Sequence, residues 1–340
     1  MAPLNRPGLC FLDRPALPRA IELVRLAEAR GFESAWVCET RLARDAISVL
    51  GAFAAVTERI KLGTGVINTW TRGPALTAVT FATLNELAPG RPLLGLGAYW
   101  DPLAWKQGIE RRRPLQQMRE YVEVTRRLLN LERFTFEGEL VQVRDLELDL
   151  AHGAARVPQR IPIFIGATGP RMLELAGEIA DGVLLNGLLS PAYIRDSIEH
   201  VRAGARRAGR DPATVDLPLL VNVALDRDGA WARDAARRLI ATYVGQQPHI
   251  ATASGLPDEA IEEIRARLGG WPPDEHGVER AAGLIPDRVV DSLTVAGTPD
   301  DCRAALERFL ASGISAPVFV PITDNVDEMI DLFATSPATN

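Results

Sequence analysis

The feature that most constrains the fold of this chain is alternation: short apolar runs rich in β-branched residues, each followed by a longer segment of helical period, from near the start to near the end. The strand-like runs are Gly8–Leu12, Ser34–Cys38, Ile60–Ile67, Pro92–Gly97, Ile161–Ile165, Gly182–Leu185, Leu217–Ala224 and Ala316–Val320. Helices are expected between them. Ile21, Val24 and Ala27 share a face before Gly31, and Ala46–Thr57 follows the second run. Pro74 opens a helix that closes near Ala88-Pro-Gly, as a first-turn proline does. Pro114–Leu129, Arg171–Ile179, Ala192–Ala208, Gly229–Val244 and Pro299–Ala311 complete the set. Strands this continuously apolar belong to a parallel sheet covered on both faces, and eight of them favour a closed (β/α)8 TIM barrel over an open doubly wound sheet.

Two stretches break the rhythm. Phe134–Val143 reads as a hairpin turning at Glu137-Gly138, an insertion near 133–145 outside the barrel. Gln246–Val290 is rich in Pro, Gly and charge with only short helical patches, an expected helical insertion near 246–290 before the last unit. The whole of 1–340 is read as one α/β domain, a length that suits a barrel with insertions.

In such a barrel the site is built from residues just after each strand. These are Asp13, Glu39-Thr40, Asn68, Ala98–Asp101, Gly166–Gly169, Asn186-Gly187 and Asn222. In Ile60–Pro74 the strand breaks into Gly63 and Gly65, which would let a flat ligand lie on the main chain or would mark an ordinary bulge. In Ile163–Met172 a strand ends in small residues and the next helix starts with Pro170; its amides would suit a phosphate, or form a plain strand-to-helix turn. Neither a Walker A loop nor a G-x-G-x-x-G fingerprint is present. Tyr99, Trp100 and Trp105 fall in a polar loop with Asp101 and Pro102, where they could wall an aromatic ligand or pack at an interface. Glu39 ends an apolar strand, as an ion-pair partner of Arg41 or Arg44 or as an active-site acid.

Several function classes are disfavoured. A net charge of −6 argues against general binding to nucleic acid or anionic membranes. Three scattered cysteines and four histidines (His152, His200, His249, His276) without ligand spacing give no support for a metal and point to a reducing cytoplasm. No secretory h-region or 18-residue apolar run is seen, so a soluble intracellular protein is expected. No Ser-His-Asp set or marked carboxylate pair can be assembled. A chain this poor in reactive side chains is expected to borrow its chemistry from a cofactor.

These segments resemble the bacterial luciferase-like superfamily, in the branch that uses the deazaflavin coenzyme F420, with methylenetetrahydromethanopterin reductases the nearest pattern. The resemblance spans nearly the whole chain. It is carried by Leu26-Ala-Glu-Ala-Arg-Gly-Phe32, Leu62-Gly-Thr-Gly-Val-Ile-Asn-Thr-Trp-Thr-Arg-Gly-Pro74 and Ala82-Thr-Leu-Asn-Glu-Leu-Ala-Pro-Gly-Arg-Pro-Leu-Leu-Gly-Leu-Gly97. Ile165-Gly-Ala-Thr-Gly-Pro-Arg-Met172 with its continuation to Asn186, and Val295-Ala-Gly-Thr-Pro-Asp-Asp301, match as well.

The resemblance implies a barrel that is commonly a dimer, with the deazaflavin at the C-terminal ends of the strands and a non-prolyl cis peptide at Gly65-Val66 behind the ring. It places the phosphate and lactyl tail over Gly166, Ala167 and Thr168, Gly97 and Ala98 near the ring or ribityl chain, and Asn68 and Asn186 near the ring edge. Family acids are replaced: Cys10 stands where reductases place a first-strand acid, Glu39-Thr40 where an Asp-His pair occurs, and Trp100 where alcohol-oxidising relatives carry a glutamate.

The leading expectation is an F420-dependent oxidoreductase acting on a small imine, alkene, alcohol or carbonyl compound, with Glu39 as first candidate for proton relay and Asp13 and Asp101 behind it. Tyr99, Trp100 and Trp105 would shape the substrate side. The alternatives are an FMN-dependent monooxygenase on the same barrel and a non-catalytic flavin-binding protein. A lyase or aldolase would need a catalytic lysine or metal, and the lysines Lys61 and Lys106 lie away from strand ends.

Overall fold

The computed structural model describes residues 4–150, 157–270 and 272–335. The first third contains β1 (Gly8–Phe11), α1 (Leu17–Ala29), β2 (Ser34–Val37), α2 (Ala46–Val56), β3 (Lys61–Thr64), β4 (Ile67–Asn68), α3 (Pro74–Leu87) and β5 (Pro92–Gly97). Then come α4 (Asp101–Lys106), α5 (Pro114–Leu129), β6 (Phe134–Glu137), β7 (Gln142–Leu146), β8 (Ile163–Ala167), α6 (Pro170–Ile179), β9 (Gly182–Leu185), α7 (Pro191–Arg207) and β10 (Pro218–Leu225). The chain continues through α8 (Gly229–Gln246), α9 (Pro248–Ala253), α10 (Asp258–Leu268), α11 (Glu275–Ala282) and α12 (Asp287–Leu293). It finishes with β11 (Val295–Gly297), α13 (Pro299–Leu310), β12 (Ala316–Pro321) and α14 (Val326–Leu332).

Parallel pairing runs from β12 to β1, β2, β3, β5, β8, β9 and β10, and β10 returns to β12, closing the eight-stranded barrel. The strands could close this way because their apolar runs meet two apolar environments, the barrel interior and the sheath of helices. Interior positions are filled by Cys10, Trp36, Cys38, Leu93, Phe164, Leu184, Val318 and Val320, with the rings of Trp36 and Phe164 edge to face at 5.3 Å.

Three local features differ from the sequence reading. The run Ile60–Ile67 is not one strand: it divides into β3 and β4 around a cis peptide at Gly65-Val66, and β4 continues the pairing with β5. The supposed polar loop after β5 contains α4, favoured by Pro102 in the first turn and Asp101 at the positive end of the helix. Val295–Gly297 forms β11, too short for any periodicity to reveal, beside Val223–Leu225 of β10. Along that edge of β10, β9 pairs only at Leu219, so the ring partner changes from β9 to β11.

Helices α8 to α12 enclose a second apolar cluster that includes Ala236, Ile240, Val244, Ile261, Ile264, Ala281 and Val290. The hairpin β6–β7 stands as a separate antiparallel pair. At the N-terminal end of the barrel Arg6 bonds Glu33 at 2.6 Å and Asp216 at 2.7 Å, Lys61 bonds Glu33 and Ser315 bonds Asp216, a cross-brace between β1, β3 and β10 neighbours. Among the described residues, no helix is long and apolar enough to cross a membrane.

Candidate active site

A cavity of about 890 Å³ opens at the C-terminal ends of the barrel strands. That volume suits a flat cofactor with a small substrate. Its floor is the bulge at Gly65-Val66, flanked by Gly97-Ala98 from β5 and Gly166–Thr168 from β8.

The glycines here serve packing more than ligand approach. A Cβ on Gly63 would lie 2.4 Å from the indole of Trp36, so that glycine makes room for the tryptophan, not for a ligand. The Val66 side chain fills a cradle left by two others, a Cβ falling 2.5 Å from it at Gly97 and 3.0 Å at Gly166, while at Gly95 a Cβ would first meet the Thr64 carbonyl oxygen, at 1.9 Å. Val66 is thereby fixed from beneath and presents a rigid apolar wall to the cavity. Under the bulge, Cys38 donates its thiol proton to the Gly65 carbonyl and lies 3.5 Å from Cys10. The Cys38 contact and complete burial push the Cys10 thiol well up, which keeps it protonated and inert.

Glu39 reaches the cavity directly after β2, as expected, and is anchored by its N–H to the Val66 carbonyl. Its carboxylate lies 3.3 Å from Arg72, which also pairs with Asp45. The expected partners Arg41 and Arg44 are not used by Glu39: Arg41 bonds Asp13 and Arg44 bonds backbone carbonyls of Asp13 and Pro15. Burial raises the Glu39 carboxyl above its ordinary range; Arg72 opposes this and Asp45 adds to it. A half-buried acid whose neutral form is favoured by burial beside a cavity is the chemistry of a proton donor or relay.

Asn68 and Asn186 line the cavity, but their amides are committed elsewhere. Asn68 Oδ1 accepts from the N–H groups of Trp70 and Thr71, both at 2.9 Å, and its Nδ2 donates to Thr71 Oγ1. It is the clasp of the 68–73 loop, which Trp70 ties to the Ala98 carbonyl, Gln117 to helix α5 and Tyr121 through the Arg72 carbonyl. Asn186 donates to the Tyr243 hydroxyl and accepts from the Gly187 N–H. Burial raises the Tyr243 phenol, with the Asn186 bond opposing, so it stays protonated.

Three expected site residues are corrected. Asp13 does not line the cavity; it is held by Arg41 at 2.6 Å on the barrel's outer lip. Asp101 sits at the rim, but both its oxygens are taken by Arg111, at 2.5 and 2.8 Å. Arg111 also donates to the carbonyls of Ala98 and Tyr99, so it straps the turn in which Tyr99 adopts φ +68°. Trp105 is 79% exposed and points away, because α4 rotates it to the outer face while Tyr99 and Trp100 stay on the wall.

The sequence reading missed one wall altogether. Leu239, Thr242, Tyr243 and Gln246 of α8 all line the cavity. Their i, i+3, i+4, i+7 spacing was present, but nothing in the sequence says that the end of this helix reaches over the barrel mouth.

At the other end, the amides of Thr168 and Gly169 make no hydrogen bond among the described residues, and α6 begins at Pro170 with Arg171 exposed beside it. Open amides, a helix start and a nearby cation are the features that suit a phosphate. Among the described residues, no group of three or more His, Cys, Asp or Glu is gathered for a metal; His152 lies outside the described residues.

A sequence profile described as luciferase-like monooxygenase matches residues 5–316. The chain is 33% identical over 326 residues to 5,10-methylenetetrahydromethanopterin reductase of Methanolobus tindarius, covering 96% of this chain and 97% of the relative. It is 32% identical over 286 residues to F420-dependent glucose-6-phosphate dehydrogenase of Microbacterium testaceum, covering 76% and 82%. The solved structure of coenzyme F420-dependent tetrahydromethanopterin reductase from Methanopyrus kandleri superposes with a TM-score of 0.85 at 28% identity, covering 97% of each chain.

Proposed function

The chain belongs to the luciferase-like monooxygenase family, and on that premise we propose that it is an F420-dependent oxidoreductase moving a hydride between the deazaflavin and a small organic substrate. The observation that carries this reading is the cavity whose Val66 floor, small-residue flanks and open Thr168 and Gly169 amides together fit a ring and a phosphate. Full-length likeness to F420-dependent relatives supports F420 over FMN.

When bound, the deazaflavin supplies two-electron hydride chemistry at C5. The residues do the rest. Gly65, Val66 and Ala98 would back the ring, while Gly97 leaves room for Val66. Thr168 and Gly169 would carry the phosphate by their open amides, with Gly166 and Ala167 ending the paired strand beneath them. Asn68 and Asn186 hold the loops that frame the site. Glu39 holds or releases the proton that accompanies the hydride, with Arg72 setting its orientation. Tyr99 and Trp100 shield the substrate from water.

Titration of the purified protein with F420 and separately with FMN, followed by cofactor fluorescence, tests the reading. Binding of F420 in preference to FMN is expected. Preference for FMN would replace it with the monooxygenase, and binding of neither would end it. The variant Glu39→Gln is expected to lower kcat by about 10²-fold while F420 affinity stays near wild type. An unchanged kcat would remove Glu39 from the chemistry.

We further propose a homodimer in the reducing cytoplasm, with α2 and α3 at the interface. These neighbouring helices expose Val56, Leu76, Val79 and Leu87, and α2 carries no charged residue. A largely apolar outer face of this kind, with Glu86 of α3 at its end, is what a self-complementary contact buries.

A further inference from the structure

We infer that the substrate half of the cavity selects an uncharged, largely apolar acceptor, and that the selecting surface is the last two turns of α8. The inference rests on the oxidoreductase reading above and names the substrate class for the same site. Leu239, Thr242, Tyr243 and Gln246 form one stripe of α8 directed into the cavity. The same helix is charged elsewhere, and those charges turn outward to its neighbours: Arg233 bonds Asp291, Arg237 bonds Asp287 and Arg238 meets Glu279. The stripe facing the cavity is left with a leucine, a phenol ring, a hydroxyl and an amide.

Two of the three arginines on the cavity wall are already engaged. Arg111 is held by both oxygens of Asp101 and by two carbonyls, and Arg41 by Asp13. Arg171 stands beside the amides that the cofactor reading assigns to phosphate. An anionic substrate would therefore enter a partly dry cavity without a counter-ion unless it broke one of these pairs. A neutral carbonyl compound meets no such penalty. Leu239 and the Tyr243 ring offer apolar contact, and the Gln246 amide offers the hydrogen bond that orients a single polar atom, the Thr242 hydroxyl being given to the Arg238 carbonyl.

The test compares cyclohex-2-enone with the same ring bearing a carboxylate, each with reduced F420, following the absorbance of oxidised F420. Each turnover adds a hydride and a proton across the C=C bond and leaves the cofactor oxidised by two electrons. The neutral ring is expected to exceed the carboxylate in kcat/KM by about tenfold or more. Gln246→Arg, with Thr242→Lys as a second variant, should shrink that ratio at least about tenfold while F420 affinity stays within about threefold of wild type. Equal or better turnover of the carboxylate, turnover of neither ring, or an unmoved ratio in both variants would overturn the inference. Failure of wild-type protein to bind F420 would instead overturn the oxidoreductase reading, and the substrate class with it.

Discussion

Replacing Gly97 with alanine tests the cradle around Val66. The new methyl would lie 2.5 Å from Val66 Cγ2, with its next neighbours, the Ile67 carbonyl oxygen and Val66 Cβ, at 3.7 Å. That is roughly 1 Å inside the ~3.5–4.0 Å of a relaxed carbon pair. Overpacking of this kind costs about 2 kcal/mol. Val66→Ala alone removes two methyl groups from a half-buried side chain, a loss of about 1 kcal/mol at ~0.8 kcal/mol per fully buried carbon. Were the two sites independent, the double variant would lose about 3 kcal/mol. Here the alanine at 97 fills the space that Cγ2 vacates, so the pair should fall only about 1 kcal/mol below wild type, a coupling of about 2 kcal/mol. For a chain of this size the unfolding entropy is about 0.7 kcal/mol per kelvin, so thermal unfolding should show Gly97→Ala lower by about 3 °C and the double variant by about 1.5 °C. Gly51→Ala is the control. A Cβ there meets nothing within 4 Å, and the helix should gain about 1 kcal/mol. Strictly additive losses for Gly97→Ala and Val66→Ala would refute the cradle.

Glu39 carries a pH signature: its carboxyl is raised in the folded state, so its neutral form is favoured and stability falls as pH rises through that raised value. The Tm of Glu39→Gln should match wild type in acid and exceed it at pH 7 to 8, a trend checked by scanning fluorimetry across pH. Asp216 has the opposite sign. Burial opposes its ionisation, but Arg6 and Ser315 bring it below its ordinary range, so its contribution is present above the ordinary aspartate pKa and is lost as pH falls through the lowered one. Asp216→Asn should cost about 2 kcal/mol at pH 7, and the gap to wild type should close towards pH 3; a gap independent of pH would refute the cross-brace. At the proposed dimer face, where Leu76 and Leu87 are 57% and 60% exposed, the double substitution Leu76→Arg and Leu87→Arg should turn a dimer into a monomer by light scattering without loss of helicity. A monomeric wild type would end that proposal.

The barrel was legible in the sequence because its information is periodic: every strand from Gly8 to Val320 that closes the ring appears as an apolar run. β11 was not, since three residues carry no period. Residues after the strands, Glu39, Ala98, Gly166 and Asn186 among them, line one cavity. What those residues do was less visible. Gly63 looked like an opening for a ligand, yet the space it leaves is taken by Trp36 on the neighbouring strand. Asp13 and Asp101 looked like spare acids because their arginines, Arg41 and Arg111, sit 28 and 10 residues away in the chain. Trp105 was grouped with its aromatic neighbours until the rotation of α4 separated them. Side-chain partners chosen in three dimensions leave little mark on a one-dimensional pattern.

The change of partner along β10, from β9 to β11, leaves a seam in the wall of the barrel, and helices α8 to α12 are hung across it with an apolar interior of their own. The two tasks of the molecule are thus divided between separately packed parts. On the reading proposed above, diversifying 239–247 would alter which molecules are admitted without touching Val66, Gly97, Gly166 or the Thr168 amide. Descendants of this chain could acquire new substrates while inheriting the same electron-handling floor, and a laboratory library confined to that helix end would begin from the same advantage.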